Sequence, residues 1–598
     1  MKKKVVVIVG AGPSGLVALK EMLEKGHDAT IIEKSGVIGG VFSTLRESSY
    51  DALYLTISNV FMAYSDFPCE EDYIKYSKKE EYAVYLERYA AHFGLLDRIK
   101  FNTTVEAATL EGETWRIKCS DGEVSADSLI VCTGSNQVPK KTPEIFAPFG
   151  GKVVHSSQFQ NADAFKGERV LIVGTGESAS DVAAEIAGVA QHATVWARRP
   201  FILAPRYTAR HITKPGFDEY LCMQTEKMWR ECYVGDFLEC QTTSRAINAL
   251  PLWMYSMVRQ MGWKIMASDF SNKYLEFLGK YSRAATAYPG VDKSVYLRAD
   301  QAGWVTKNSR ISEMAGRGSL EVVVAQNLRV EGKTVTFSDV LVDSNGERNA
   351  SPDVVNDYDT IVLCTGYTND FDWIRTEQKL DWCPRAWFKH CWPSGFGDKL
   401  AFIGWARPHQ GGIPQTSELC ARFHALLLSG ERELPANIAE VTKTESEAET
   451  RYYVLSPNLT SLCDWPSFAS SLTAMIGCEP PVPWLVFSPS KWLKYWLYPM
   501  WPCWYRLKGP GAKPEVFDQV MDRFPVIGSK VLVDPVTLAI TIPFSVVQKF
   551  FVNTMFFLFK PFSRLPGYHG FPTLYNKSKL NILHGYKMKV KSLFSFAM

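Results

Sequence analysis

The chain carries the stretch Val5-Val6-Val7-Ile8-Val9-Gly10-Ala11-Gly12-Pro13-Ser14-Gly15, an apolar run followed directly by a glycine-rich turn. A second stretch, Val170-Leu171-Ile172-Val173-Gly174-Thr175-Gly176-Glu177-Ser178-Ala179, repeats this order. Each predicts a strand, a tight turn and a helix, the arrangement that binds the pyrophosphate of a dinucleotide. One such turn is a weak indication, because small-residue turns are common. Two of them predict that the protein binds two dinucleotides. A protein that binds two dinucleotides is suited to transfer a hydride from one to the other.

An acidic residue follows the first turn at the position expected for ribose binding. The glycines let the backbone approach a pyrophosphate, and the helix after them points free N–H groups at the phosphates. The next apolar strand ends in Glu33, about 20 residues past the glycines, where a carboxylate accepts from ribose hydroxyls and repels a 2′-phosphate. The first site is therefore predicted to take FAD or NAD rather than NADP. Its predicted contacts are Gly10, Gly12, Pro13, Ser14, Gly15 and Glu33.

Basic residues follow the second turn instead. The strand after its helix ends in Arg198-Arg199, and a guanidinium grips a 2′-phosphate through paired hydrogen bonds. This favours NADPH over NADH, although a solvated basic turn would also explain the two arginines. The predicted contacts of this second site are Gly174, Gly176, Ser178, Arg198 and Arg199.

Two further apolar strands end in the same short turn. One leads into Thr133-Gly134 and the other into Thr365-Gly366. The repetition predicts two related crossovers between domains, with all four turn residues beside the cofactors. The predicted fold class is α/β, with two Rossmann-like dinucleotide-binding domains, the second inserted in the first.

The chain is too long for one core, and its motifs suggest the domain boundaries. An FAD-binding domain is predicted over residues 1–150 and 366–480, and an NADPH-binding domain over residues 151–365. A helical insertion is expected at about 205–300, and residues 481–598 form an aromatic-rich C-terminal extension.

Composition excludes several classes of protein. A net charge of +3 over 598 residues gives no case for nucleic-acid binding. The thirteen cysteines form no Cys-x-x-Cys pair, which argues against a structural zinc site and a dithiol redox pair. The first apolar run ends in a nucleotide turn rather than a cleavage site, so a reducing cytoplasmic setting is expected. Residues 544–559 fit either a helix lying on the endoplasmic reticulum or another membrane, or a helix packed on the core.

Several stretches resemble the flavin-containing monooxygenases. The segment Phe149-Gly150-Gly151-Lys152-Val153-Val154-His155-Ser156-Ser157-Gln158-Phe159 fits the identifying pattern of that family, Phe-x-Gly-x-x-x-His-x-x-x-Phe/Tyr. Gly39-Gly40-Val41-Phe42 and Thr365-Gly366-Tyr367 are similar to its flavin-contacting Gly-Gly-Leu-Trp and its Ala-Thr-Gly-Tyr turns. Ser65-Asp66-Phe67-Pro68 and Tyr505-Arg506-Leu507-Lys508-Gly509-Pro510-Gly511 resemble two more of its patterns. The likeness covers residues 1 to about 515.

The resemblance implies an FAD- and NADPH-dependent monooxygenase. NADPH would reduce FAD, and O2 would add to the flavin C4a to give a hydroperoxide. A nucleophilic nitrogen or sulfur of a small molecule would then take the distal oxygen. Gly40, Val41 and Phe42 would contact the flavin, and His155 would shape the linker between the domains. The expected partners are a small-molecule substrate and O2.

Many members of that family hold an asparagine over the flavin. Counting back from the shared Asp-Phe-Pro puts Thr56 at that position, and Asn59 lies three residues later. Either side chain could donate a hydrogen bond to the oxygen adduct, so both are predicted as catalytic candidates.

Three other functions stay open at this point. Baeyer-Villiger enzymes share most of these patterns, but they end the identifying pattern in Trp followed by Pro or Asp, whereas this chain has Phe159-Gln160. A flavin reductase would pass electrons to a quinone or a protein. A membrane-surface protein could keep FAD as a structural group.

Overall fold

The computed structural model describes residues 3–203, 207–208, 233–234, 305–306 and 310–523, apart from short gaps that include 46–48, 343–352, 454–458 and 482–487. Most of the expected insertion at about 205–300, and the apolar segment 544–559, therefore lie outside the described residues. None of the described helices is long and apolar enough to cross a membrane.

The strands are numbered along the chain. The strands up to the second glycine turn are β1 (Val5–Val9), β2 (Asp28–Ile32), β3 (Ile99–Lys100), β4 (Val105–Glu111), β5 (Thr114–Cys119), β6 (Gly122–Ala126), β7 (Ser128–Val131), β8 (Val138–Pro139), β9 (Lys152–His155) and β10 (Arg169–Val173). The later strands are β11 (His192–Ala197), β12 (Ile202–Leu203), β13 (Tyr207–Thr208), β14 (Tyr233–Val234), β15 (Val305–Thr306), β16 (Glu321–Glu331), β17 (Thr334–Val342), β18 (Val354–Asp357), β19 (Thr360–Leu363), β20 (Tyr367–Thr368), β21 (Ile374–Arg375), β22 (Leu400–Phe402), β23 (Arg407–Pro408) and β24 (Leu462–Cys463).

The described α-helices are numbered in the same way. They are α1 (Pro13–Glu24), α2 (Asn59–Met62), α3 (Lys79–His92), α4 (Glu177–Ala187), α5 (Arg310–Gly316), α6 (Ile413–Leu428), α7 (Ile438–Tyr452), α8 (Trp465–Ile476) and α9 (Pro514–Arg523).

Five parallel strands form the first sheet, in the order β22-β7-β1-β2-β3. In β1, Val6 and Ile8 face one buried cluster while Val7 and Val9 face another, so the strand is apolar throughout because both faces of the sheet are covered. Helices α1 and α6 contact each other and contribute to the cluster around Val6. We call this sheet with α1 and α6 the first unit.

Seven strands form the second sheet, in the order β18-β17-β16-β11-β10-β19-β9. Five of them, from β16 to β9 in that order, run parallel, and β17 and β18 add an antiparallel edge. We call this sheet with α4 and α5 the second unit. Because β22 follows all of its strands in the chain yet pairs in the first sheet, the second unit is inserted in the first. The predicted class, α/β with two Rossmann-like units, is confirmed.

The two crossovers are neighbours in space. β8 lies just after the first crossover turn and β20 just after the second, and the two strands pair antiparallel, with Tyr367 opposite Pro139. In a small four-stranded sheet, β21, which follows the second crossover, pairs with β4, and β4, β5 and β6 come from the first part of the chain. The connections between the units thus form one paired ribbon.

Candidate active site and cofactor sites

Close contacts shape the first glycine turn. Gly10 has a φ of +103°, and a Cβ there would lie 2.8 Å from the carbonyl oxygen of Cys132. A Cβ on Gly15 would lie 1.9 Å from the carbonyl oxygen of Gly10. A Cβ on Gly12, by contrast, would meet only the Cα of Gly40, at 3.8 Å. Gly12 also caps α1 without a side-chain hydrogen bond, so the first-turn N–H groups stay available to a phosphate.

The second glycine turn repeats this geometry. Gly174 has a φ of +122°, and a Cβ there would lie 2.7 Å from the carbonyl oxygen of Cys364. A Cβ on Gly176, the residue that caps α4, would meet nothing within 4 Å. Ser178 is half-buried in the first turn of α4. Both units therefore combine a tight first glycine with an open second one, as a pyrophosphate site requires.

An equivalent backbone hydrogen bond occurs in each unit and shows which residues of the two glycine turns correspond. The N–H of Gly10 donates to the carbonyl of Ile32 at 2.9 Å, and the N–H of Gly174 donates to that of Trp196 at 3.1 Å. The residue after each acceptor is therefore equivalent in the two units: Glu33 in the first and Ala197 in the second.

Glu33 organises the first turn. Its buried carboxylate accepts from the N–H of Ala11 at 2.7 Å and from the N–H and hydroxyl of Ser35 at 2.8 and 2.7 Å. A carboxylate offers about four lone-pair sites. One acceptor position is therefore left for a ribose hydroxyl, and the predicted role fits the geometry.

The second unit has a small residue and two cations at the corresponding place. Ala197 is buried, and the side chains of Arg198 and Arg199 after it are exposed. Counted by the strand register, Arg198 is thus one position beyond the equivalent of Glu33.

The predicted flavin-contacting turn lies against the first glycine turn. The N–H of Gly39 donates to the carbonyl of Ala11 at 2.9 Å, and Gly40, with a φ of +60°, lies beside Gly12. Val41 is 40% exposed, while the next residue, Phe42, is half-buried. The turn therefore presents Val41 outward beside the predicted pyrophosphate site.

Pro13 and Ser14 connect the turn to the rest of the first unit. The carbonyl of Pro13 accepts from the Tyr64 hydroxyl at 2.6 Å. The hydroxyls of Ser14 and Ser417, on α6, lie 2.9 Å apart. Ser14 thus joins α1 to α6 by its side chain, which leaves its backbone N–H as the group to face a phosphate.

The two crossover threonines carry unsatisfied hydroxyls. The Oγ1 atoms of Thr133 and Thr365 are buried, and neither has a hydrogen-bond partner among the described residues. Gly134 and Gly366 after them have φ values of +76° and +83°. Buried hydroxyls are normally paired, so these two atoms, each beside a glycine turn, fit donors or acceptors for a bound dinucleotide.

His155, from the family-like pattern, holds the crossover ribbon. Its Nδ1 accepts from the N–H of Ser157 at 3.1 Å, so its Nε2 carries the proton and donates to the carbonyl of Gly366 at 3.1 Å. The same carbonyl accepts from the N–H of Lys140. Burial lowers the pKa of His155, and the bond to Gly366 opposes that shift only in part. A neutral His155 therefore ties β9 to both crossovers.

The two catalytic candidates differ in their surroundings. Asn59 is buried at the start of α2, and its Oδ1 accepts from the N–H groups of Val60 and Lys75, both at 3.1 Å. Its Nδ2 is 3.5 Å from a carboxylate oxygen of Glu71. Thr56 is half-buried three residues earlier. Of the two polar atoms of the Asn59 amide, only Nδ2 could therefore donate toward a cofactor.

A buried charge cluster joins the two other family-like stretches. We define it as Lys20, Glu21, Asp66, Glu418 and Arg506. Nη2 of Arg506 lies 2.6 Å from Glu21, 3.2 Å from Asp66 and 2.8 Å from Glu418. Lys20 pairs with Glu21 and Asp66 from the other side, and these carboxylates are therefore neutralised by protein cations. The cluster fixes the C-terminal segment to α1 and α6.

A polar cavity of about 40 Å³ lies elsewhere, between α7 and a turn at residues 388–391. Lys389 pairs with Glu445 at 3.1 Å and His390 with Glu449 at 2.9 Å on its walls. None of the predicted site residues lines this cavity. The cavity is therefore separate from the predicted cofactor sites.

One residue near the second turn had no signal in the sequence. Arg407, in β23, is half-buried. Burial lowers the pKa of its guanidinium, and the nearby carboxylate of Glu177, the first residue of α4, opposes that shift. Arg407 thus places a cation near the start of α4.

Two open glycine turns on two sheets, joined by a ribbon, define a protein with two Rossmann-like units of the kind that binds dinucleotides. A family model described as flavin-binding monooxygenase-like matches residues 2–225 and 340–558. The chain belongs to that family.

Individual relatives agree with this assignment. The chain is 32% identical over 538 residues to a 4-hydroxybenzoate brominase (decarboxylating) of Marinomonas mediterranea, covering 88% of this chain and 94% of that protein. It is 26% identical over 542 residues to flavin-containing monooxygenase 5 of Homo sapiens, covering 86% and 90%. The solved OTEMO complex with FAD and NADP has the same fold, with a TM-score of 0.52 at 16% identity over 76% of this chain and 91% of that one. The protein is an NADPH-dependent flavin monooxygenase, with FAD and NADPH as cofactors.

Proposed function

We propose that this enzyme uses NADPH, FAD and O2 to oxygenate a nucleophilic nitrogen or sulfur atom of a small molecule. The observation that carries the proposal is the pair of equivalent glycine turns, one followed by an acid and the other by two arginines. The buried hydroxyls of Thr133 and Thr365 support it, because each lies beside one of the turns and has no hydrogen-bond partner in the part of the chain that the structure describes.

Each group of residues has a distinct role in this proposal. The N–H groups at the start of α1 hold the FAD pyrophosphate, and Glu33 holds the ribose. Those at the start of α4 hold NADPH, with Arg198 and Arg199 at the 2′-phosphate. Bound FAD supplies the redox chemistry with O2, and the protein supplies orientation and exclusion of water. His155 and the ribbon fix how the two units meet.

Asn59 and Thr56 are proposed as the polar groups nearest to the reacting oxygen. Asn59 would donate through Nδ2, the donor atom of its amide, while its Oδ1 accepts from two backbone N–H groups. Thr56 would donate through its hydroxyl. An asparagine already tied to Lys75 is a rigid donor, which suits a group that must not move during oxygen transfer.

A second candidate is oxygenation of a halide in the presence of a phenol. The relative named as a 4-hydroxybenzoate brominase, at 32% identity over most of both chains, favours it. Bromide is a soft nucleophile, as amines and sulfides are. Bromide, O2, NADPH and two protons would give hypobromous acid, water and NADP⁺, and the hypobromous acid would brominate the phenol.

Product analysis with a substrate panel separates these functions. The purified enzyme, NADPH and O2 would be offered N,N-dimethylaniline, a dialkyl sulfide, bromide with 4-hydroxybenzoate, and a cyclic ketone, each alone. An N-oxide or sulfoxide is expected, and a Gly176→Val variant should form none. A bromophenol alone would establish the second candidate, and an ester from the ketone would establish Baeyer-Villiger chemistry. NADPH oxidation that gives only peroxide with every compound would overturn the proposal.

A further inference from the structure

Tyr50 belongs to the first part of the chain but lies in the core of the second unit. Its side chain is 8% exposed and joins the buried cluster that contains Val170, Ile172 and Val182. Its ring lies 6.1 Å from that of Phe159, the last residue of the family-like pattern. A residue from the first part of the chain is therefore buried inside the second unit.

The Tyr50 hydroxyl makes a short hydrogen bond across the boundary. It donates to Oδ2 of Asp181 at 2.7 Å, and Asp181 is 1% exposed in α4. The other oxygen of Asp181 lies 4.0 Å from Arg310, which also pairs with Glu185 at 2.6 Å. Asp181 is thus a charged acceptor with a cation nearby, and a hydrogen bond to a buried charged group is among the strong ones.

The residues beside Tyr50 extend the contact. The N–H of Asp51 donates to the carbonyl of Gln160 at 2.9 Å, and the side chain of Asn161 donates to the Asp51 carboxylate at 3.1 Å. On the other side, the hydroxyl of Ser49 donates to the carbonyl of Val41 at 3.0 Å. Val41 lies in the turn predicted to contact the flavin.

These contacts form a continuous physical connection between the two cofactor sites. It runs from the first glycine turn through the bond between Gly39 and Ala11 to Val41, then through Ser49 and Tyr50 to α4. Helix α4 begins at the glycine turn that binds NADPH. Hydride transfer is sensitive to placement, because a misplacement of about 1 Å can cost about 100-fold in rate.

We propose that Tyr50, through its hydrogen bond to Asp181, is a positioning residue that sets the flavin-facing turn relative to bound NADPH. The inference needs only the reduction of FAD by NADPH, and it holds whichever substrate is oxygenated. It predicts that loss of the bond slows flavin reduction without removing either cofactor.

The first test measures flavin reduction in Tyr50→Phe, which keeps the ring and removes only the hydroxyl. Anaerobic reduction by saturating NADPH is expected to slow about 10- to 100-fold, while FAD content, NADPH affinity and reduction by dithionite stay as in the unaltered enzyme. Tyr85→Phe is the matched control, because its hydroxyl donates to the carbonyl of Phe67 at 2.6 Å within the first part of the chain. Reduction of Tyr50→Phe at the unaltered rate would overturn the proposal.

The second test does not depend on turnover. Hydrogen exchange of the backbone of residues 50–53 and 159–161 is expected to be faster in Tyr50→Phe, and unchanged in Tyr85→Phe, with FAD bound and NADPH absent. Asp181→Leu removes the acceptor of the Tyr50 hydroxyl and is expected to slow flavin reduction. Asp181→Asn keeps an acceptor oxygen and is expected to retain most of the reduction rate that Asp181→Leu loses. If Asp181→Leu folds poorly, the reduction rate and the hydrogen exchange of Tyr50→Phe decide together. Unchanged exchange in Tyr50→Phe would contradict the anchoring role.

Discussion

Arg506→Met is expected to destabilise the first unit strongly. The substitution removes the one cation that contacts Glu21, Asp66 and Glu418 together, and Arg506 is fully buried. Lys20 still neutralises part of the charge on Glu21 and Asp66, and Lys513 lies 3.1 Å from Asp66. Among the described residues, however, Glu418 keeps only hydrogen bonds from Ser65. Breaking a buried ion pair from one side costs about 3–5 kcal/mol. For a domain of this size that lowers the apparent Tm by roughly 6–20 °C.

The loss should also depend on pH. Burial alone would raise the pKa of Asp66, and Arg506 and Lys20 hold it well below its ordinary value. Without Arg506 that pKa rises, so the carboxyl group takes up a proton more readily and the repulsion is relieved in acid. The destabilisation of Arg506→Met should therefore be larger at neutral than at mildly acidic pH.

Thermal release of FAD, followed by flavin fluorescence, measures both effects. Lys508→Met is the matched control, because Lys508 is exposed two residues away in the same stretch. Its effect should stay within about 0.5 kcal/mol. Equal melting of the two variants, at any pH, would refute the view that the cluster holds the C-terminal segment on the first unit.

Three further predictions concern the cofactor turns and one buried histidine. Gly12→Val should fold, because a Cβ there meets only Gly40 at 3.8 Å, yet purify without FAD; retained FAD would show that the turn is misassigned. Arg198→Ala should raise the KM for NADPH about tenfold or more, because a hydrogen bond to a charged group contributes about 1.5–3 kcal/mol. The KM for NADH should stay unchanged, and an equal rise for both cofactors would show that Arg198 does not bind the 2′-phosphate. Burial lowers the pKa of His424 from 6.5 to about 3. On acidification the imidazole is protonated in the unfolded chain before it is protonated in the folded protein. The free energy of unfolding should therefore fall by up to about 5 kcal/mol as pH drops from about 6.5 to 3. In acid unfolding curves, His424→Gln should reduce this dependence of stability on pH.

The sequence alone predicted the parts of the structure that are local. A strand, a turn and a helix are encoded in adjacent residues, so both glycine turns and Glu33 could be predicted, and the repeated Thr-Gly turns indicated the crossovers. The exact position of Arg198 relative to the equivalent of Glu33 could not be predicted from the sequence. Pairing between β10 and β11 decides that position, and strand register is a property of the folded sheet.

Contacts between distant parts of the chain had no local signal. The Asp-Phe-Pro stretch and Arg506 were both noticed as family-like, but nothing in either shows that they meet in one buried ion cluster. Tyr50 and Asp181 are ordinary residues in sequence, 131 positions apart, and only the packing of one unit on the other brings them within 2.7 Å. The same holds for Arg407 and Glu177.

Isotopically labelled O2 tests the central claim most directly. The enzyme would be incubated with NADPH and either N,N-dimethylaniline or a dialkyl sulfide under labelled O2, and the product analysed by mass spectrometry. We predict one labelled oxygen atom in each N-oxide or sulfoxide molecule, with NADPH oxidised in equal amount. Oxidation of NADPH with all of the label recovered in peroxide and water, and none in any organic product, would contradict the account.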